Sequence, residues 1–149
     1  MADENNKTEN NKTEDNSKDL QQKYMQLQML DQHLKQIRQQ LEAVQSQMAD
    51  VQTVLFALDD VSKAKIGSEI LVPLSSGIFV KAELKENRSL NVNVGSNTVV
   101  EKSVQDTKAL LDRQVIDLSK LNEDLIAQFT KISGDAEMLQ AELQQLSAE

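Results

Sequence analysis

An apolar residue returns at every seventh position in two long stretches of this chain, and that repeat limits what it can fold into more than any other feature. Leu20, Leu27, Leu34, Leu41, Met48 and Leu55 form one series, and Leu30, Ile37, Val44, Val51 and Leu58 follow three residues after its later members. With the first series as heptad position a and the second as d, the exception is Lys23, a polar d residue. Most intervening positions are Gln, Asp, Glu, Lys, Arg or Ser, and neither Gly nor Pro interrupts before Gly67. Such a pattern puts a narrow apolar stripe along one side of a helix, which can be buried only against another helix. The C-terminal half repeats the design. Val104, Leu111, Leu118, Leu125, Ile132, Leu139 and Leu146 occupy d, while Lys108, Val115, Asn122, Phe129, Ala136 and Leu143 occupy a. A polar a residue such as Asn122 lowers stability and fixes register or partner orientation. Gly134 falls at f, on the outer face, where it weakens the helix without disturbing the seam.

Between the repeats the period shifts from seven to two. Ile70, Val72 and Leu74 alternate with Leu71, Pro73 and Ser75, and Ile78, Val80, Ala82 and Leu84 alternate again after Ser75-Ser76-Gly77. Beyond the polar break Glu86-Asn87-Arg88-Ser89, Leu90, Val92 and Val94 alternate with Asn91 and Asn93, and Gly95-Ser96-Asn97 precedes Thr98-Val99-Val100. Four short strands with three turn signals predict two β-hairpins. Pro73 lacks an N–H for a ladder, so its strand should lie at an edge or break there. Residues 1–19 contain Glu4-Asn5-Asn6-Lys7-Thr8 followed by Glu9-Asn10-Asn11-Lys12-Thr13, and Met1 and Ala2 are their only apolar residues. Too little surface can be buried there to offset ordering entropy, which predicts a disordered polar tail. The chain therefore divides into a tail (1–19), a coiled-coil helix (20–65), two β-hairpins (66–100) and a second coiled-coil helix (101–149). The fold class is α+β: a long antiparallel helical hairpin with the two β-hairpins at the end joining the helices, and residues 20–35 beside residues 132–146 at the free end.

Composition narrows the function. A formal net charge of -8 with no basic run disfavours a nucleic-acid backbone and favours a basic partner surface. With no cysteine there is no disulfide, thiolate nucleophile or Cys-based zinc site, and a reducing cytoplasm is the natural compartment. No apolar run approaches the ~20 residues that span a bilayer, and the polar N-terminus does not resemble a secretory signal, so no membrane role is expected. Without such a signal, the sequons at Asn6 and Asn11 read as chance. His33, the sole histidine, sits at g with no further ligand evident. Asp59-Asp60 reads as a solvated helix face or helix end, and Gly95 belongs to a turn, since no phosphate-binding pattern surrounds it. No metal, cofactor or enzymatic activity is expected.

Isolated hairpins on a coiled coil leave edges and an apolar face uncovered, so several copies must bring them together, most simply as a shared β-barrel. The oligomerisation face is expected to comprise Ile70, Val72, Leu74, Ile78, Val80, Leu90, Val92 and Val94. The order helix, two hairpins, helix, with Glu69-Ile70-Leu71-Val72-Pro73-Leu74, Gly77-Ile78-Phe79-Val80, Val92-Asn93-Val94-Gly95 and Val99-Val100-Glu101-Lys102, resembles the archaeal-type prefoldin alpha subunit over about residues 20–146. Two hairpins rather than one match the alpha class. The resemblance implies a hexamer of two alpha and four prefoldin beta subunits on a double β-barrel. It also implies ATP-independent capture of unfolded or nascent client proteins and delivery to a group II chaperonin. The long Asn/Lys/Glu tail departs from what that family requires.

Capture of unfolded chains needs apolar groups outside the seam near the free end. Tyr24 at e, Met25 at f, Met29 at c and Met138 at c fit, because methionine adapts to varied apolar surfaces. Leu20, Leu27, Leu139, Leu143 and Leu146 belong mainly to the seam, and fraying would expose the outermost of them to a client. The alternative is a prefoldin-like scaffold linking specific folded partners, which calls for a polar tip. Apolar residues at c, e and f favour the generic binder.

Overall fold

The computed structural model describes the backbone of residues 3–147 and side chains from residue 16 onward. In chain order it comprises helix α1 (Asp3–Lys63), strands β1 (Glu69–Ser75), β2 (Ile78–Glu83), β3 (Ser89–Asn93) and β4 (Val99–Ser103), and helix α2 (Val104–Leu146). These elements form two compact units, one of residues 1–44 with 121–149 and one of residues 45–120.

Helix α1 begins at Asp3, so the backbone of residues 3–19 is helical where composition predicts a disordered tail. This segment has no Gly or Pro to stop a helix. Extending an existing helix also escapes the cost of nucleating a new one, which is why poor composition alone does not end it. Met1, Ala2 and the side chains of residues 3–15 lie outside the described residues.

In the first unit the seam buries Ile37, Val44, Leu125 and Leu143. The antiparallel order is fixed by Lys23 reaching Glu142 at 2.6 Å and by the Arg38 guanidinium standing 5.8 Å from the Phe129 ring centre. In the second unit Val51, Leu58, Val104 and Leu118 are buried, joined by Thr107, whose hydroxyl donates to the Ser103 carbonyl at 2.9 Å. Thr107 occupies g by the heptad count, yet it is as buried as the seam because the first turn of α2 leaves directly from a strand.

The hairpins form two separate two-stranded antiparallel sheets, β1 with β2 and β3 with β4. Every strand is therefore an edge, which accommodates Pro73 opposite Phe79; the register then skips Leu74 before Ser75 meets Ile78. Gly77 turns the first hairpin at φ +78, a left-handed conformation that glycine adopts freely. In the second turn Val94 N–H donates to the Thr98 carbonyl at 2.9 Å, so Val94 lies beyond β3 rather than within it as the alternation suggests. Strand β4 continues to Ser103, past the expected boundary at residue 100, and Ser103 then caps α2: its hydroxyl accepts from Asp106 N–H at 3.0 Å. The β2–β3 linker is tied to both helices. Asn87 donates to the Ala64 carbonyl at 3.0 Å, and the Arg88 carbonyl accepts from Val104 N–H at 2.9 Å.

Candidate interaction surfaces

In the first unit, the residues predicted outside the seam are exposed. Tyr24, Met25, Met29 and Met138 all face solvent, Met29 at 68% and Met138 at 67% of their full accessibility. Leu20, Leu27, Leu139 and Leu146 are half-buried and Leu143 is buried, so the seam holds here. These side chains do not make one patch. A groove of about 590 Å3 is lined by Tyr24, Met25, Leu27 and Leu34 of α1 and by Ala136 of α2. Its cause is local: Ala136 puts a methyl group at an a position where neighbouring turns carry Phe129 and Leu143. A second groove, about 340 Å3, is lined by Gln26, Leu30, Asp135, Met138, Leu139 and Glu142. The heptad positions place the two on opposite flanks, since Tyr24 is an e residue whereas Gln26, Asp135 and Glu142 are g residues. A third, about 300 Å3, includes Lys23, Glu142 and Leu146.

Charge is distributed unevenly around these grooves. The Lys23 ammonium donates to Glu142, a hydrogen bond that raises its pKa above the usual lysine value, against the opposing effect of desolvation. Asp31, on the rim of the first groove, is engaged by Lys35 at 2.9 Å. No hydrogen bond or ion pair engages Asp135 among the described residues.

In the second unit, the register sorts the hairpin side chains into faces, because residues directly opposite share a side. Ile70 with Ala82, and Val72 with Val80, lie on one face of the first hairpin. Leu71 with Lys81, and Pro73 with Phe79, lie on the other. Val72, Leu74, Ile78 and Val80 are exposed and Ile70 is half-buried, while on the opposite face Leu71 and Phe79 are exposed at 62% and 57%. This hairpin is therefore apolar on both sides near its turn, which an alternation that counted only one face overlooks. The second hairpin is one-sided: Leu90 and Val92 pair with Lys102 and Val100, and Asn91 and Asn93 pair with Glu101 and Val99. Leu90 and Val92 are half-buried, whereas Val94 and Val99 are exposed.

Further apolar side chains are exposed away from these places, namely Val54, Phe56, Leu110, Ile116, Leu121 and Ile126. All lie off a and d, so the heptad count alone would have found them. Among the described residues no group of three or more His, Cys, Asp and Glu is placed to hold a metal ion, and no helix is long and apolar enough to cross a membrane.

A coiled-coil hairpin with two small β-hairpins that expose apolar side chains among the described residues is the architecture of an interaction subunit. The Prefoldin subunit family matches residues 30–149, and the chain belongs to the prefoldin family, in its archaeal alpha type. It is 32% identical to prefoldin subunit alpha of Thermofilum pendens over 104 residues, covering 70% of this chain and 81% of that one. Prefoldin subunit alpha of Methanobrevibacter smithii is 33% identical, covering 75% and 76%. The fold is similar to that in a filamentous prefoldin structure from Methanocaldococcus jannaschii, with a TM-score of 0.69 at 18% identity, covering 77% of this chain and 95% of the other. The family match includes both hairpins, Met138 and Leu139, and begins just after Met29.

Proposed function

We propose that the chain works as a chaperone subunit that holds unfolded or nascent proteins without nucleotide, assembles with prefoldin beta subunits, and passes clients to a group II chaperonin in the cytoplasm. Family membership supports the chaperone role. The client-binding assignment is carried by one observation: Tyr24, Met25, Met29 and Met138 stand outside the seam, exposed, in the same compact unit, beside grooves floored by seam leucines. Unbranched thioethers conform to many apolar shapes, which suits a binder of non-native chains better than a scaffold built for one partner. The hairpins supply the assembly surface, with Ile70, Val72, Leu74, Ile78, Val80, Leu90, Val92 and Val94 as its residues and Leu71 and Phe79 added from the second face.

The test is suppression of aggregation of a chemically denatured protein by the assembled complex without ATP. Replacing Tyr24, Met25, Met29 and Met138 together by Gln should lower protection several-fold while leaving the mass of the complex unchanged. Each exposed site contributes less than the ~1.5–3 kcal/mol of a fully buried side chain, so the four are changed together. Undiminished protection by the quadruple variant would sink the assignment of these residues.

A further inference from the structure

We infer that the groove between Leu30 and Leu139 selects client segments that are both apolar and basic, with Asp135 receiving a Lys or Arg one helical turn from the apolar residue that enters beside Met138. This inference rests on the holding function proposed above and specifies what one of its two flanks prefers. The groove has an apolar floor in Leu30, Leu139 and the exposed Met138, and no Lys or Arg lines it. Two carboxylates line it. Glu142 is already occupied by Lys23 at 2.6 Å, and no ion pair engages Asp135 among the described residues. Asp135 and Met138 are three residues apart on one helix, so they present a charge and an apolar group side by side. Met29 adds a second flexible apolar group, being three residues on from Gln26 on the same side of α1.

The surroundings reinforce the sign. From Ser133 to Leu146, α2 carries Asp135, Glu137 and Glu142 and no Lys or Arg. A formal net charge of -8 adds a long-range attraction for basic segments. The opposite flank differs in kind. Its groove is larger, and its one carboxylate, Asp31, is taken by Lys35. That flank accepts apolar segments whatever their charge, and selectivity lies with Asp135. The occupant that matches the Asp135 flank is an amphipathic helical segment with Lys or Arg three or four residues from a Leu, laid along the two-helix seam as a third helix.

Two labelled peptides with identical Leu positions, one bearing Lys and the other Glu at the flanking positions, are titrated against the full-length chain in the oligomer it forms. The Lys peptide should bind more tightly. Asp135→Asn should weaken it by about three-fold, the size of one exposed charge pair, without weakening the Glu peptide. The difference should shrink as salt is raised. Asp112→Asn makes the same change in net charge in the other compact unit and should leave both affinities as they were. Equal binding of the two peptides, or an Asp112→Asn effect as large as that of Asp135→Asn, overturns the inference. A denatured test protein is assayed in parallel to separate the two readings. If it is held normally while the peptides are not distinguished, charge selectivity fails and the holding function stands. If neither peptide nor denatured protein is bound, both fail.

Discussion

Two polar residues interrupt the apolar seam of the first unit, and they meet different fates. Lys23 carries its charge out to Glu142 on the neighbouring helix. Asn122 has no such exit: its side-chain oxygen is buried with no hydrogen-bond partner among the described residues. A buried polar atom left unpaired costs ~1–3 kcal/mol, so this residue subtracts from the stability of the arm. Its return is specificity, since a polar a residue disfavours registers that would press it against leucine. Asn122→Val should therefore raise the melting temperature of the chain by a few degrees, each ~1 kcal/mol being worth ~2–8 °C in proteins of this size range. A fall in melting temperature, followed by circular dichroism at 222 nm, would show that the amide makes a favourable contact after all. Asn122 was legible in the sequence as a seam residue. That its oxygen is orphaned was not, because the answer depends on what the facing helix offers.

Where α1 ends, charge holds the helices of the second unit together. The Asp59 carboxylate accepts from Lys108, an a residue of α2, and from Lys63, one turn along its own helix, at 2.8 Å. Hydrogen bonding by Lys108 and then by Lys63 draws its pKa from 3.8 down to about 2. A carboxylate more acidic when folded than when unfolded favours the fold above its unfolded pKa, and that contribution fades as the pH falls from 3.8 toward about 2. Asp59→Asn should accordingly lower the melting temperature at pH 7, and its deficit relative to the unaltered chain should close near pH 2. A deficit of the same size at both pH values would assign the effect to something other than the ion pairs. A sequence reading of Asp59-Asp60 as a solvated helix face or helix end misses the role, because Lys108 lies 49 residues away. The two hairpins show the same division. Alternation locates the strands, whereas the pairing of Leu71 with Lys81 and Pro73 with Phe79 makes the first hairpin apolar on its second face as well.

The assembly proposed above would cover the exposed apolar side chains of the hairpins. Val72 and Val80 are cross-strand neighbours and both exposed, so they are a sensitive place to test whether assembly uses that face. Replacing both by Asn should prevent the proposed assembly with prefoldin beta subunits, measured by light scattering, while the helical signal of the chain persists. A variant pair that still assembles to full mass would move the assembly surface elsewhere, with Leu71 and Phe79 the next residues to change. The grooves of the first unit and the hairpins of the second lie on separate compact units, so changes to one should leave the other's measurement intact.

The periods of seven and two determined the helices, the strands and the residues that leave the seam, because both periods follow from backbone geometry and are written along the chain. The turn signals at Gly77 and Gly95 were equally local, since left-handed turns have few solutions. At the N-terminus α1 runs on through residues 3–19, because a helix already begun lowers the cost of adding residues that would not start one. Only the tertiary structure decided which carboxylates of the grooves are paired among the described residues. Lys23 and Glu142 are 119 residues apart, and their contact leaves Asp135 as the carboxylate of that groove without an ion pair among the described residues. The first groove itself arises where a small Ala136 meets Leu27 and Leu34 of the other helix, a volume mismatch that neither helix of the seam records alone.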